Sequence, residues 1–408
     1  MADPAWNTEG SYYEFSLFIR FFLHGVQMEN HKDAGVSLLT PAPSSPAPGI
    51  GEAGSESGEA ACAAQPPAAQ HAPCAGQQSR PRSACPVFVV GCPRSGTTLL
   101  YHMILSSGHF AGYPFESDTF RLLGPKFPDL ASLTNRKRLM EFWLRSENFA
   151  RSGLDRSDVE PRVLRDCRNI GDFLRIVMEE MCRKQGVGRW AEKTPQNALY
   201  ISEIKRLIPN ALIVHIIRDG RDAALSLANW GLIRPFFWEG GRKLLSLGVY
   251  WKWMVRKGRA GGQRIGRDYY ELHYEDLVVK PRETLAQLGG FIGHDLDYDR
   301  IVQVGVGSVS SPDSSFQRRA SAEGFNPVGR WEKRYSPEDL AGFEAVVGDA
   351  LEETGYRLAT RPQQRRRTFS AEAISAFYVS QLESKFWLKS RTPLGRLAGR
   401  RTFTRYKS

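Results

Sequence analysis

The chain carries Gly91-Cys-Pro-Arg94-Ser95-Gly96-Thr97-Thr98 between two segments of different character. Before it runs Val87-Phe-Val-Val90, and after it Leu99, Leu100, Met103 and Ile104 recur at helical spacing. Strand, Gly-bounded loop and helix is the order in which backbone N–H groups and the positive end of a helix converge on one anion. The interval Gly91-x4-Gly96-x-Thr98 follows the phosphate loop of nucleotide triphosphatases except at one position. Thr97 stands where that pattern requires Lys, and the cation sits inside the loop as Arg94. A second anion-binding group, Arg218-Asp-Gly-Arg221-Asp222, follows the apolar run 211–217, with Ser226 eight residues after Arg218. Two more residues could do chemistry. Glu116 offers a carboxylate able to take a proton. Lys193, in Glu-Lys-Thr-Pro, precedes a helical segment, where a cation serving no purpose is electrostatically disfavoured.

The elements that must position these residues alternate. Strands are expected at residues 87–90, from Phe110, at 211–217 and from Tyr269. The run 211–217 is near-continuously apolar, as suits a central parallel strand covered on both faces. Helices are expected after the loop, from Gln196 to Leu207, after Arg218, from Pro281 to Ile292, and from the capping signal Ser336-Pro-Glu-Asp-Leu through Leu351 to Gly355-Tyr356. Residues 122–183 read as helix-rich and suit a lid or substrate wall. This pattern predicts an α/β fold with a central parallel sheet flanked by helices, its ligands bound outside the carboxyl ends of the strands. Residues 40–83 are rich in Pro, Ala, Gly and Ser and read as a disordered linker. The expected organisation is a leader and linker over 1–85, a folded domain over 86–360 and a basic tail over 361–408.

Of 408 residues, 41% are hydrophobic, enough for a substantial core. The net charge of +11 is concentrated in the tail, where twelve Lys or Arg face only Glu372 and Glu383. The body therefore gives no support to nucleic-acid binding. Within the tail, Ile374, Phe377, Tyr378, Leu382 and Phe386 share roughly one helical face. Such a helix could dock on the domain, pair two subunits or make peripheral membrane contact. The six cysteines show no metal-ligand spacing and read as free thiols in a reducing compartment. The apolar stretch 15–23 is too short to span a bilayer and lacks a signal peptide's basic start. A cytoplasmic location is expected.

Cys-Pro-Arg94-Ser-Gly-Thr-Thr-Leu-Leu after an apolar strand resembles the 5′-phosphosulfate loop of sulfotransferases that use 3′-phosphoadenosine 5′-phosphosulfate (PAPS). Ile-Ile-Arg218-Asp-Gly-Arg-Asp-Ala-Ala-Leu-Ser226 resembles the 3′-phosphate motif of the same family. The resemblance covers residues 86–358 and is closest to tyrosylprotein sulfotransferases and bacterial sulfotransferase-domain proteins. It implies a P-loop-like sulfotransferase fold and sulfuryl transfer from PAPS to a hydroxyl acceptor, a carbohydrate, phenol, lipid or protein tyrosine, with no metal. It implies that Arg94, Ser95, Gly96, Thr97 and Thr98 hold the phosphosulfate and Arg218 and Ser226 the 3′-phosphate. It further implies that Tyr274 and Arg330 contact the nucleotide, with Ser314 or Ser315 as further candidates. Glu116 matches the family's general base and Lys193 the lysine that stabilises the leaving oxygen.

Alternatives stay open beside this. Asp118, His102 and His109 are fallback bases, Arg221 either assists at the phosphate or lies on a helix surface, and core packing also explains Tyr274. The aromatic residues Trp230, Phe236, Phe237, Trp238, Trp251 and Trp253 are expected to line the acceptor pocket or to pack. The rival functions are a P-loop kinase and a catalytically inactive nucleotide-binding scaffold.

Overall fold

The apolar run Val87–Gly91 forms the middle strand, β1, of a five-stranded sheet. The computed structural model describes residues 81–230, 243–304, 327–365 and 369–392. The leader, most of the Pro/Ala-rich linker, Ser314, Ser315, Phe236, Phe237, Trp238, the Trp230 side chain and residues 393–408 lie outside the described residues. Around β1 stand β2 (Phe110–Gly112), β3 (Arg189–Lys193), β4 (Leu212–Ile217) and β5 (Tyr269–His273), in the order β2-β3-β1-β4-β5. Every neighbouring pair is parallel, with Val87 opposite both Ala191 and Leu212.

β3 is a strand that the sequence reading does not contain. Arg189-Trp-Ala-Glu-Lys193 carries three charged residues, yet its first four positions are buried. The structure thus moves Lys193 from the start of a helix to the carboxyl end of a strand. A short 3₁₀ turn, Pro195–Leu199, separates it from helix α6 (Ile201–Leu207).

Strand geometry sorts the apolar residues into two cores, because successive side chains point to opposite faces. Val87 and Val89 of β1, with Leu212, Val214 and Ile216 of β4, pack under helix α1 (Thr97–Ser106). Phe88, Val90, Ile213 and Ile217 face the larger layer. That layer includes α2 (Leu133–Leu144), α3 (Glu147–Ser152), α4 (Arg156–Asp166) and α5 (Ile170–Gln185), then α6, α7 (Gly220–Trp230) and α8 (Lys243–Ile265). His215 interrupts the apolar face of β4. It is fully buried, shares a 2.6 Å hydrogen bond with the Tyr269 hydroxyl, and burial pushes its pKa down to about 3.

The helices after β1 and β4 leave on opposite faces of the sheet, opening a crevice between the carboxyl ends of these two adjacent strands. Both anion motifs end there. On the α1 face the chain adds α9 (Tyr274–Val279), α10 (Pro281–Ile292) and α11 (Tyr298–Val304). The helix α12 (Pro337–Glu353) packs on α8, its first turn capped by Ser336, whose Oγ accepts from the Asp339 N–H. The tail helix α13 (Phe369–Arg391) docks on α8 and α12, burying Tyr378 and Leu382. Phe386 meets Tyr200 and Trp253 at 5.4 and 6.1 Å, and Glu383 accepts from Trp253 Nε1 at 2.9 Å.

Candidate functional site

The loop after β1 is shaped by two close approaches and one left-handed residue. A side chain on Gly91 would meet the Ile216 carbonyl at 2.5 Å, so only glycine lets β1 end this near β4. Gly96 has φ +92° and its missing side chain leaves room for the Tyr274 ring, which a Cβ would meet at 2.3 Å. Arg94 adopts φ +72° without being glycine, a strain that costs about 1–2 kcal/mol. Helix α1 then begins at Thr97 with no side chain capping it and no acidic residue in its first turn. Its first N–H groups remain available to an anion.

The loop and the second motif touch directly. Arg94 Nε donates to Ser226 Oγ at 3.2 Å, and Arg218 Nη1 donates to the Arg94 carbonyl at 3.2 Å. Arg218 lies 4.6 Å over the Tyr274 ring, and its Nη2 donates to the Pro327 carbonyl at 2.6 Å. The backbone carbonyl of Arg218 accepts from Trp251 Nε1 at 3.0 Å. Trp251 is fully buried, so it braces the site from the core instead of lining a pocket, and Trp253 likewise packs. Tyr274 packs against Gly96 and carries Arg218 over its ring. Burial raises its pKa, while the Arg218 charge pulls it back.

Arg221 is not a surface residue. It is buried in ion pairs of 2.7 Å with Asp219 and Glu344, and stacks 3.7 Å from the Trp331 ring. Asp222, also buried, accepts from the backbone N–H groups of Gly329 and Trp331 at 2.9 Å each. These contacts bring Arg330 to the same end of the sheet, where its charge acts on Tyr274.

A second pair forms beside the loop. Lys193 Nζ lies 3.6 Å from Glu116 Oε1. Lys193 is in register with Val89 of β1, and Glu116 follows β2 on the far side of β3. The Glu116 carbonyl accepts from Asn148 Nδ2 at 3.2 Å, so α3 holds this turn, as a wall over the site would. Burial raises the Glu116 pKa, the Lys193 charge opposes that shift, and Asp118 adds to it.

The fallback bases are placed less well. Asp118 is bound by Arg121 at 2.7 Å. His109 immediately precedes β2, at the amino end of the sheet, and its ring lies 4.1 Å from that of His294, tilted by 59°. His102 is buried on α1, and burial with the nearby Lys193 lowers its pKa.

One residue of consequence escaped the sequence reading. Glu192 is fully buried and accepts from Ser117 Oγ at 2.7 Å, Thr194 Oγ1 at 2.5 Å and Asn197 Nδ2 at 2.9 Å. Ser117 adjoins Glu116 and Thr194 adjoins Lys193, so this carboxylate ties the two candidate catalytic residues to one frame. Its burial raises its pKa, against the pull of the three hydrogen bonds. The only signal in the sequence was the Glu-Lys-Thr-Pro motif itself.

Two buried polar atoms at the crevice have no partner, Ser95 Oγ and Arg218 Nε. Both can donate to an anion, so the donor set fits a phosphate- or sulfate-bearing ligand. Past Asp118 the chain makes one π-helical turn, Thr119–Leu123, whose Phe120 lines a cavity of about 480 Å³ with Tyr200, Glu203, Arg206 and Arg391. Among the described residues, no group of three or more His, Cys, Asp or Glu is placed to hold a metal, and no helix is long and apolar enough to cross a membrane.

A family model described as "Sulfotransferase family" matches residues 86–298. A Caenorhabditis briggsae protein, named as a candidate protein-tyrosine sulfotransferase, is 25% identical over 52% of this chain and 66% of its own length. A Caenorhabditis elegans protein of the same name is 30% identical over 26% of this chain and 39% of its own. The chain thus spans less than two thirds of either relative. Among solved structures, the sulfotransferase domain of a Synechococcus olefin synthase is 20% identical, with a TM-score of 0.45 over 67% of this chain and 95% of that one. A mouse sulfotransferase complexed with PAP is 14% identical, with a TM-score of 0.39 over 74% of this chain and 89% of that one. The matched span contains the loop, Glu116, Lys193, Arg218, Ser226 and Tyr274 and exceeds half of the sequence, and the chain belongs to the sulfotransferase family.

Proposed function

We propose that this protein transfers a sulfuryl group from PAPS to a hydroxyl acceptor. The observation that carries the reading is the Arg94–Ser226 hydrogen bond, which joins two separate anion-binding motifs in one crevice beside the Lys193–Glu116 pair. A donor with a phosphosulfate at one end and a ribose phosphate at the other requires two such clusters side by side. In this reading the loop amides, Arg94, Ser95, Gly96, Thr97 and Thr98 take the phosphosulfate. Arg218 and Ser226 take the 3′-phosphate, while Tyr274 and Arg330 complete the nucleotide site.

Glu116 removes the acceptor's hydroxyl proton as its oxygen attacks sulfur. The bond from sulfur to the bridging phosphate oxygen breaks, and the charge left on that oxygen is met by Lys193 and Arg94. Sulfated acceptor and 3′-phosphoadenosine 5′-phosphate (PAP) are the products. The names of the two nematode relatives support testing tyrosyl peptides first among hydroxyl acceptors. The described cysteines, Cys85, Cys92, Cys167 and Cys182, are free thiols, which supports a reducing compartment such as the cytoplasm. Membrane contact through the tail would rest on its charge and on Phe377 and Trp387, which α13 leaves exposed while Tyr378 and Leu382 pack.

Calorimetric titration with PAP and with ADP tests the donor assignment. PAP is expected to bind and ADP, lacking the 3′-phosphate, to bind at least tenfold more weakly. Equal binding of the two, or no binding of PAP, would overturn the assignment.

A further inference from the structure

The segment that brings Arg330 to the crevice has no strand or long helix among its described residues. Its described start is Pro327, and it reaches α12 through one 3₁₀ turn, Arg330–Lys333. What fixes it is the motif after β4. The Asp222 carboxylate divides its oxygens between two amides, Oδ2 to Gly329 N–H and Oδ1 to Trp331 N–H, both at 2.9 Å. Arg330 is the residue between those amides. Gly329 has φ +70°, a left-handed conformation that turns the chain around the carboxylate. The neighbouring residues of the motif grip the same segment. Arg218 holds the Pro327 carbonyl, Arg221 stacks on Trp331, and the Arg221 carbonyl accepts from the Tyr335 hydroxyl at 3.3 Å.

We infer that Asp222 is a positioning residue for donor binding: by clamping the amides on either side of Arg330, it sets that guanidinium at the nucleotide site beside Arg218 and Tyr274. This rests on the proposed donor. It assigns to the motif a second task, in which Arg218 contacts the ligand while Asp222 and Arg221 build the far wall from a segment more than a hundred residues away in sequence. An amide at position 222 cannot substitute. Its oxygen keeps one N–H, and its NH₂ group confronts the other, donor against donor.

A double-mutant cycle on the full-length chain, read by calorimetric titration with PAP, tests this. Asp222→Asn and Arg330→Ala are each expected to weaken PAP binding by roughly tenfold or more. The double variant should be no weaker than the worse single one, because a misplaced Arg330 and a missing Arg330 are the same loss. Penalties that multiply in the double variant, or a silent Asp222→Asn beside an impaired Arg330→Ala, would overturn the positioning role while leaving the donor assignment intact. Failure of the wild type to prefer PAP over ADP would overturn the donor assignment and this role with it. Should Asp222→Asn melt below the assay temperature, Gly329→Ala carries the same cycle, since it strains the turn at its positive φ and keeps the carboxylate.

Discussion

Lys193 faces Glu116 across 3.6 Å, one at the end of β3 and the other beyond the exit of β2. The pairing gives Lys193 a second effect. Lys193 lowers the proton affinity of the carboxylate that burial has raised, so the base stays available nearer neutral pH.

The acid limb of kcat/KM should therefore lie above the ordinary carboxylate range. Glu116 must be ionised to act as a base, so the rate falls as pH drops through its raised pKa. Lys193→Met removes an opposing charge and should move that limb to higher pH, besides costing on the order of a hundredfold or more in kcat. Lys193→Arg should hold the limb in place. The same shift has a consequence for stability. With the folded pKa above the unfolded one, ionisation of Glu116 costs stability as pH rises from the unfolded value through the folded one. Glu116→Gln should flatten the melting profile over that window while lowering turnover by roughly a hundredfold or more. A pH–rate profile and melting curves across the window check both.

Glu192 should matter to stability more than its exposure-free place in a charged strand implies. Glu192→Ala leaves three buried donors, Ser117, Thr194 and Asn197, without their acceptor. At about 1–3 kcal/mol for each unsatisfied group, the loss should exceed about 3 kcal/mol in chemical denaturation. Glu192→Gln should recover most of it, because Asn197 Oδ1 is buried without a partner and can accept from the new amide after a flip. Equal destabilisation by both variants would contradict this arrangement.

Arg94→Gly should separate function from folding. The substitution removes the left-handed strain at φ +72°, worth about 1–2 kcal/mol, and loses a hydrogen bond to Ser226 worth about 1 kcal/mol. The melting temperature should stay close to that of the wild type. Donor binding should fall at least tenfold with the loop cation gone. Titration with PAP beside thermal denaturation reads both, and a large drop in melting temperature would argue that Arg94 is chiefly structural.

Two parts of the site were legible in the sequence because they are local. The strand–loop–helix around Arg94 needs only a short apolar run, glycines where the backbone closes on a neighbour, and helical spacing afterwards. Arg218 and Ser226 lie on one strand end and the helix that follows it, so their interval carries over into space. Everything that joins separate elements was decided by tertiary structure. β3 stayed hidden because a strand is read by its apolar residues, and Arg189-Trp-Ala-Glu-Lys193 buries a carboxylate whose donors lie outside the strand, Ser117 in another segment and Thr194 and Asn197 just after it. Arg221 reads equally as a phosphate helper or a surface residue until Asp219, Glu344 and Trp331 close around it. Strand order brings Glu116 to Lys193, and the clamp by Asp222 brings Arg330 to Arg218. Spacing along a chain encodes contacts within an element; contacts between elements depend on which faces must be buried together, and that is set by the packing of the whole domain.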